Sequence, residues 1–166
     1  MGLGDQRRVA WPKPAVGRSH PTIMSWGGGG EGVKKKVLFL CTGNSARSQM
    51  AEAIVNARLG DAWEAVSAGT KPTGSVHPKA VEVLREIGVR HEGRSKPAGE
   101  FRDVAFDLVV TVCDSAAEEC PVWLGRGKRV HRSFPDPART GNTDDFRRVR
   151  DDIVREIIPL LVNYAN

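Results

Sequence analysis

The chain has 166 residues, is 40% hydrophobic and 27% charged, and carries a formal charge of +5, enough for one domain with a real core. No apolar run approaches the roughly 18 residues that a membrane helix requires, no apolar core of a secretory signal stands at the N-terminus, and the small basic excess favours an anionic substrate over nucleic acid. The three cysteines are an odd number and are not spaced as a disulfide framework, which fits a reducing, cytoplasmic setting in which thiols are kept for reactivity.

Residues 1–33 hold Trp11-Pro12, Pro14, Pro21 and the run Gly27 to Gly30 without apolar periodicity. Such a segment buries too little to offset its ordering entropy and reads as a disordered tail, with Met24 offering a later start. The domain is expected over 34–166. Val37 to Leu40 is a buried strand bounded by Gly43. Met50, Ala53, Ile54 and Ala57 then recur at helical spacing until Gly60. Trp63 to Ser67 is a second strand. His77-Pro78 opens a helix with Ala80, Val81, Leu84 and Ile87 on one face and Gly88 as its stop. Phe106 to Val112 is a third strand, and Arg129 to Phe134 a shorter fourth. Thr143 is expected to cap a last helix with Asp144 and Asp145 in its first turn. Phe146, Val149, Ile153, Ile157 and Leu160 would form its inner face, and Pro159 would kink it or end it early.

Strands alternating with helices predict an α/β three-layer sandwich around a four-stranded parallel sheet, with its site beyond the C-terminal strand ends. Cys41 ends the first strand, Cys113 ends the third, and Asp136 follows the fourth. Three reactive groups would therefore meet at one sheet edge.

Cys41 and Arg47 enclose Thr42, Gly43, Asn44, Ser45 and Ala46, residues small enough for a tight ring of backbone N–H groups. Gly43 and Asn44 tolerate the positive φ that such a ring needs. The ring opens into a helix N-terminus. A tetrahedral oxyanion there (arsenate, phosphate or sulfate) would meet N–H donors, the positive end of the helix dipole and a forked guanidinium. The same field favours a thiolate, hence a nucleophile. Ser48 is placed to donate a hydrogen bond to the sulfur. Asn44 reads as holding the loop in shape. No tightly bound cofactor is expected.

Cys113 and Cys120 are seven residues apart in CDSAAEEC. Seven helical residues span roughly 10.5 Å, whereas a disulfide needs Cα atoms about 4.4–6.8 Å apart. The pair bonds only if the segment unwinds, which its marginal helix character and Pro121 would ease. Structural thiols, or a metal pair with His131, are alternatives. The shared edge with Cys41 favours a redox relay. Asp136, before Pro137, reads either as a turn residue or as an acid. His77 reads as a helix-start residue, His91 and His131 as surface, and His20 as tail.

VLFLCTGNSARSQMAEA, from Val37 to Ala53, resembles the low-molecular-weight protein tyrosine phosphatase superfamily, and its CTGNSARSQMAEA part resembles the thioredoxin-coupled arsenate reductases. The likeness continues through Ser67 to Thr70, Asp107 to Cys113, Asp136-Pro137-Ala138 and Phe146 to Asp151. It spans nearly all of 35–166 and none of the tail. The resemblance implies the low-molecular-weight phosphatase fold and arsenic detoxification. It implies that Cys41 attacks arsenate held by the loop and Arg47, and that Asp136 protonates the departing oxygen. Cys113 then forms a disulfide with Cys41 as arsenite leaves, and Cys120 shifts the disulfide outward for thioredoxin. Ala46 stands where some relatives carry another cysteine. Asn44, Glu52 and Ser67 resemble a potassium site of some relatives, with Pro97 where an acidic ligand is expected.

A phosphatase using Cys41, Arg47 and Asp136 alone is the competing reading. Such phosphatases need no downstream cysteine pair and place tyrosines after Asp-Pro. Here Ala138, Arg139 and Thr140 follow, and Tyr164 is the one tyrosine of the chain. A non-catalytic oxyanion-binding module sits poorly with the Cys41–Arg47–Asp136 set. A monomer is expected, and a low-molecular-weight thiol with a glutaredoxin-like partner is the alternative electron donor.

Overall fold

Lys35–Cys41 forms β1, and its pleat sends Val37, Phe39 and Cys41 to one face and Leu38 and Leu40 to the other. All five are at most 2% exposed, which explains why the run is continuously apolar rather than alternating. The computed structural model describes residues 33–114 and 125–165. Contacts divide the chain into 1–34 and 35–166, and every described element belongs to the second unit. Residues 1–32 of the expected tail, and the segment 115–124 with its expected marginal helix, lie outside the described residues.

The sheet is completed by β2 (Trp63–Gly69), β3 (Ala105–Thr111) and β4 (Arg126–His131). It has four parallel strands in the order β2-β1-β3-β4, as the alternation of strands and helices predicts. Leu40 of β1 registers against Ala68 of β2 and Thr111 of β3, so the C-terminal strand ends align along one edge. Three helices, α1 (Arg47–Arg58), α2 (Pro78–Glu86) and α3 (Thr143–Ala165), pack on the face that carries Val37 and Phe39, through residues such as Ile54, Leu84, Phe146 and Ile153. On the other face Leu38, Leu40, Phe106 and Val109 are covered by Ala98, Phe101 and Val104, in and after the 3₁₀ turn Ala98–Phe101. No helix among the described residues is long and apolar enough to cross a membrane.

Several local expectations shift. β4 runs three residues earlier than predicted. It is an edge strand, mostly exposed and rich in charge, so it lacks the apolar signature that marks the inner strands. Phe134, read as its last apolar residue, lies beyond it and is 1% exposed in the core. The β3–β4 register shifts between Ala105 and Leu108. Gly127, with φ of +128°, fits there because a Cβ would lie 2.9 Å from Val109 Cγ2 and 3.0 Å from the Phe106 carbonyl. In α1, Ala57 is exposed and Ala51 and Val55 are buried instead, because the first turns of the helix are covered on more than one side. Val83 replaces Val81 on the inner face of α2. Leu161, one helical turn after Ile157, replaces Leu160 in α3.

The cap of α3 is Asn142, not Thr143: its Oδ1 accepts a bond from Asp144 N–H at 2.7 Å, and Thr143 is the first helical residue. Both residue types cap well, and only the backbone distinguishes them. The helix continues past Pro159 to Ala165. Pro159 is on the exposed side, where one missing backbone bond costs least.

Candidate active site

The loop between β1 and α1 owes its shape to bonds that pull its carbonyls outward. Those of Cys41, Thr42, Gly43 and Ser45 accept bonds from the N–H groups of Thr70 (3.3 Å), Lys71 (2.9 Å), Thr73 (3.0 Å) and His77 (2.8 Å). In a planar trans peptide the following N–H points the opposite way. The N–H groups of Thr42, Gly43, Asn44 and Ala46 are thus turned away from the 70–77 segment, and Asn44 N–H reaches Cys41 Sγ at 3.2 Å. Positive φ falls on Asn44 (+50°), and not on Gly43. Gly43 serves close approach instead, since a Cβ there would lie 3.1 Å from Thr73 Cγ2. Ala46 supplies no capping side chain to α1, so no side chain at its N-cap competes for the positive end of the helix.

Cys41 is a buried free thiol. Its Sγ lies 2.9 Å from Ser48 Oγ. Asn44 Nδ2 donates to the same Ser48 oxygen at 2.8 Å, which leaves the hydroxyl proton for the sulfur, as the sequence suggested. Two donors therefore converge on Sγ, an arrangement suited to a sulfur acting as acceptor and nucleophile. Asn44 is fully buried, and its side chain is spent on the loop. Oδ1 accepts from Lys96 N–H at 2.8 Å and from Gln49 Nε2 at 2.9 Å.

Arg47, 4% exposed, starts α1 and reaches across the sheet edge. Its Nη1 donates to the Phe134 carbonyl at 3.2 Å, and its Nη2 lies 3.8 Å from Asp136 Oδ2. Asp136 Oδ1 accepts from Ala138 N–H at 3.0 Å, so Asp136 is at once the cap of the 3₁₀ turn Pro137–Arg139 and a partner of the loop arginine. Its side chain is 34% exposed, open enough to exchange a proton with a bound group. Cys113 lies two residues beyond β3, fully buried, and Val112 N–H just before it bonds the Leu40 carbonyl at 2.9 Å. Cys41 thus ends β1, and Cys113 follows the end of the adjacent strand β3. Cys113 is disulfide-bonded, and Cys120 lies outside the described residues. Cys41, Arg47, Cys113 and Asp136 are therefore brought to one edge.

Residues 36–165 match the family described as low molecular weight phosphotyrosine protein phosphatase. The chain belongs to this family. An arsenate reductase of Halalkalibacterium halodurans is 45% identical over 130 residues, covering 75% of this chain and 93% of its own. The solved thioredoxin-dependent arsenate reductase of Corynebacterium glutamicum is similar with a TM-score of 0.62 at 28% identity, over 80% of this chain and 62% of its own. A low molecular weight protein tyrosine phosphatase from T. tengcongensis is similar with a TM-score of 0.63 at 28% identity, over 78% and 99%.

Behind the loop of this phosphatase-family chain lie residues that sequence reasoning did not single out. Gln49 Nε2 donates to the Asn44 carbonyl (3.1 Å), to Asn44 Oδ1 and to the Arg94 carbonyl (2.8 Å). With its amide hydrogens so used, Gln49 Oε1 accepts from His91 Nε2 at 2.7 Å. His91, expected at the surface, is instead half-buried, and burial holds its imidazole below the ordinary histidine value, against the raising effect of Glu52 and with the lowering effect of Lys96. Ser95 Oγ donates to the Gly43 carbonyl at 3.2 Å. A polar residue two positions after Arg47, on a helix otherwise buried, was the one available sign of Gln49. Nothing local marks Lys96, 52 residues from Asn44.

The oxygens expected to hold potassium hold an ammonium. Ser67 Oγ donates to Glu52 Oε1 at 2.5 Å, and Lys96 Nζ lies 3.6 Å from that carboxylate oxygen and 3.5 Å from Ser67 Oγ. Asn44 offers its Oδ1 to N–H donors, and Pro97 has no ligating side chain. A second monovalent cation at about 4 Å from Nζ would be repelled by about 4 kcal/mol at an effective dielectric of about 20. The residues present do not fit a potassium ion.

Proposed function

We propose that this protein reduces arsenate to arsenite through a relay of three cysteines recycled by thioredoxin. The observation that carries this reading is the placement of Cys41, a donor-flanked free thiol in an oxyanion loop, beside Cys113 at the end of the neighbouring strand. It is supported by the similarity to arsenate reductases, one of them described as thioredoxin-dependent.

In the reduced enzyme Cys41 thiolate attacks arsenic. An As–S bond forms, an As–O bond breaks, and Asp136 supplies the proton with which the oxygen leaves as water. The inward N–H groups and Arg47 hold the remaining arsenic oxygens. Cys113 thiolate then attacks Cys41 Sγ. The As–S electron pair stays on arsenic, so arsenic(V) becomes arsenic(III), and a Cys41–Cys113 disulfide takes the oxidation. Attack by Cys120 on Cys113 releases Cys41 as thiolate and leaves a Cys113–Cys120 disulfide for the dithiol of thioredoxin.

The same loop supports a second reading, phosphomonoester hydrolysis by Cys41, Arg47 and Asp136, favoured by the likeness to a solved phosphatase. Arsenate and phosphate share shape and charge, so weak phosphatase activity is expected beside the reductase. The deciding experiment follows NADPH oxidation with thioredoxin, thioredoxin reductase and arsenate, beside the three single Cys→Ser variants. The relay requires arsenate-dependent oxidation in the wild type. It also requires that Cys120→Ser complete one turnover and then stall. Brisk aryl-phosphate hydrolysis without arsenate-dependent oxidation would establish the phosphatase instead.

A further inference from the structure

Lys96 touches the oxyanion loop and two neighbouring elements through different atoms. Its N–H donates to Asn44 Oδ1 at 2.8 Å. Its carbonyl accepts from Gly69 N–H, at the end of β2, at 2.9 Å. Its side chain, 8% exposed, turns inward, with Nζ donating to the Arg94 carbonyl at 2.9 Å and facing Ser67 Oγ and Glu52 Oε1. The Arg94 carbonyl also accepts from Gln49, the residue that bonds both oxygens of Asn44. The ammonium therefore sits in a shell of a carboxylate, a hydroxyl and a carbonyl, the hard oxygen set that a monovalent cation would select. The Arg94 carbonyl and the Gln49 amide connect it to Asn44, whose own bonds reach Ser48 and Cys41 Sγ.

We infer that Lys96 is a tethered cation: a positioning residue whose ammonium holds the oxyanion loop in its binding conformation, so that this chain needs no free monovalent cation. The inference rests on the loop binding an oxyanion, and not on which oxyanion is turned over. Without the ammonium, the part-buried Glu52 carboxylate, which also accepts from Ser67, loses the cation 3.6 Å from it, and the carbonyl that anchors Gln49 loses a charged donor. Removing one partner of a part-buried ion pair is costly, and relaxation of the 94–96 segment would release the constraint on Asn44. Because the cation is part of the chain, its local concentration is independent of the medium. A relative without it would have to draw an ion from solution.

The test titrates inorganic phosphate by calorimetry, and records thermal melting, in KCl, NaCl and choline chloride at about 0.1 M, so that screening is equal in all three. The wild type is expected to give the same phosphate affinity and melting temperature in each salt. Lys96→Met should bind phosphate about tenfold more weakly in choline chloride, as is usual when a group supporting a binding site is lost. KCl should restore its affinity to within about twofold, because the vacated oxygens then accept potassium. Adding Glu52→Gln to Lys96→Met should abolish that rescue. A potassium-specific gain in the wild type would overturn the inference, and this arm requires no variant to fold. So would Lys96→Met binding phosphate like the wild type in choline chloride, or losing affinity that KCl does not restore. Absence of arsenate reduction would leave every arm readable, since none depends on turnover.

Discussion

Gly69→Ala tests whether the loop depends on close backbone approach. Gly69 ends β2, pairs with Cys41 of β1 and bridges Pro97. Its φ is ordinary, so alanine brings no backbone strain of its own. A Cβ there would lie 2.5 Å from the Thr42 carbonyl oxygen and 3.0 Å from both N and Cβ of Asn44. Two of the three are backbone atoms and cannot swing aside. Restoring an ordinary carbon–oxygen contact of about 3.3 Å requires the loop to retreat by about 0.8 Å. The same oxygen accepts the 2.9 Å bond from Lys71 N–H, so the retreat is resisted. Overpacking of this kind costs about 1–3 kcal/mol, a fall of about 3–10 °C in melting temperature for a domain of this size. A displacement near 1 Å at a reacting group costs about 100-fold in rate. Arsenate turnover, phosphate calorimetry and thermal melting are measured beside Gly99→Ala, where a Cβ meets nothing within 4 Å and all three readouts should stay unchanged. Wild-type phosphate affinity and melting temperature in Gly69→Ala would refute the reasoning.

Ser48→Ala removes one of the two donors on Cys41 Sγ and should slow single-turnover attack on arsenate by about 10- to 100-fold, the value of a hydrogen bond to a charged group; a rate within twofold of wild type would show that Asn44 N–H suffices. His91 has its folded pKa depressed by burial, so its contribution is fully present above the unfolded value of about 6.5 and is lost as pH falls below it. Melting temperature should therefore decline as pH drops from 6.5, and His91→Gln should flatten that part of the curve. Glu86 is held below the usual carboxylate range chiefly by its hydrogen bond to Arg147, with Arg150 contributing, while partial burial opposes. Its contribution is present above about 4.3 and is lost as pH falls through its folded value. The acid limb of unfolding should be shallower in Glu86→Gln, and an unchanged limb would show that the exposed pair is fully screened.

Much of this arrangement is legible from local pattern. A continuously apolar strand, a small-residue loop and an amphipathic helix are each properties of neighbouring residues, so β1, the loop and α1 fall where the sequence places them. β4 was misplaced because an edge strand does not bury both faces and carries no apolar run. Leu161 displaced Leu160, and Val83 displaced Val81, because neighbouring positions of one helix compete for a core whose shape is set by other elements.

By itself the sequence determined the chemistry available at the sheet edge: a cysteine and an arginine enclosing five residues on a strand–loop–helix, with further thiols and an Asp-Pro downstream. Tertiary structure alone decided what shapes that loop. Lys96, Gln49, His91 and the Phe134 carbonyl reach Asn44 or Arg47 directly or through one another, and most of these links join residues more than 40 positions apart. Their roles arise because hydrogen bonds and buried charges are satisfied by whichever group the fold brings within reach, and reach in space is not written in the order of the chain.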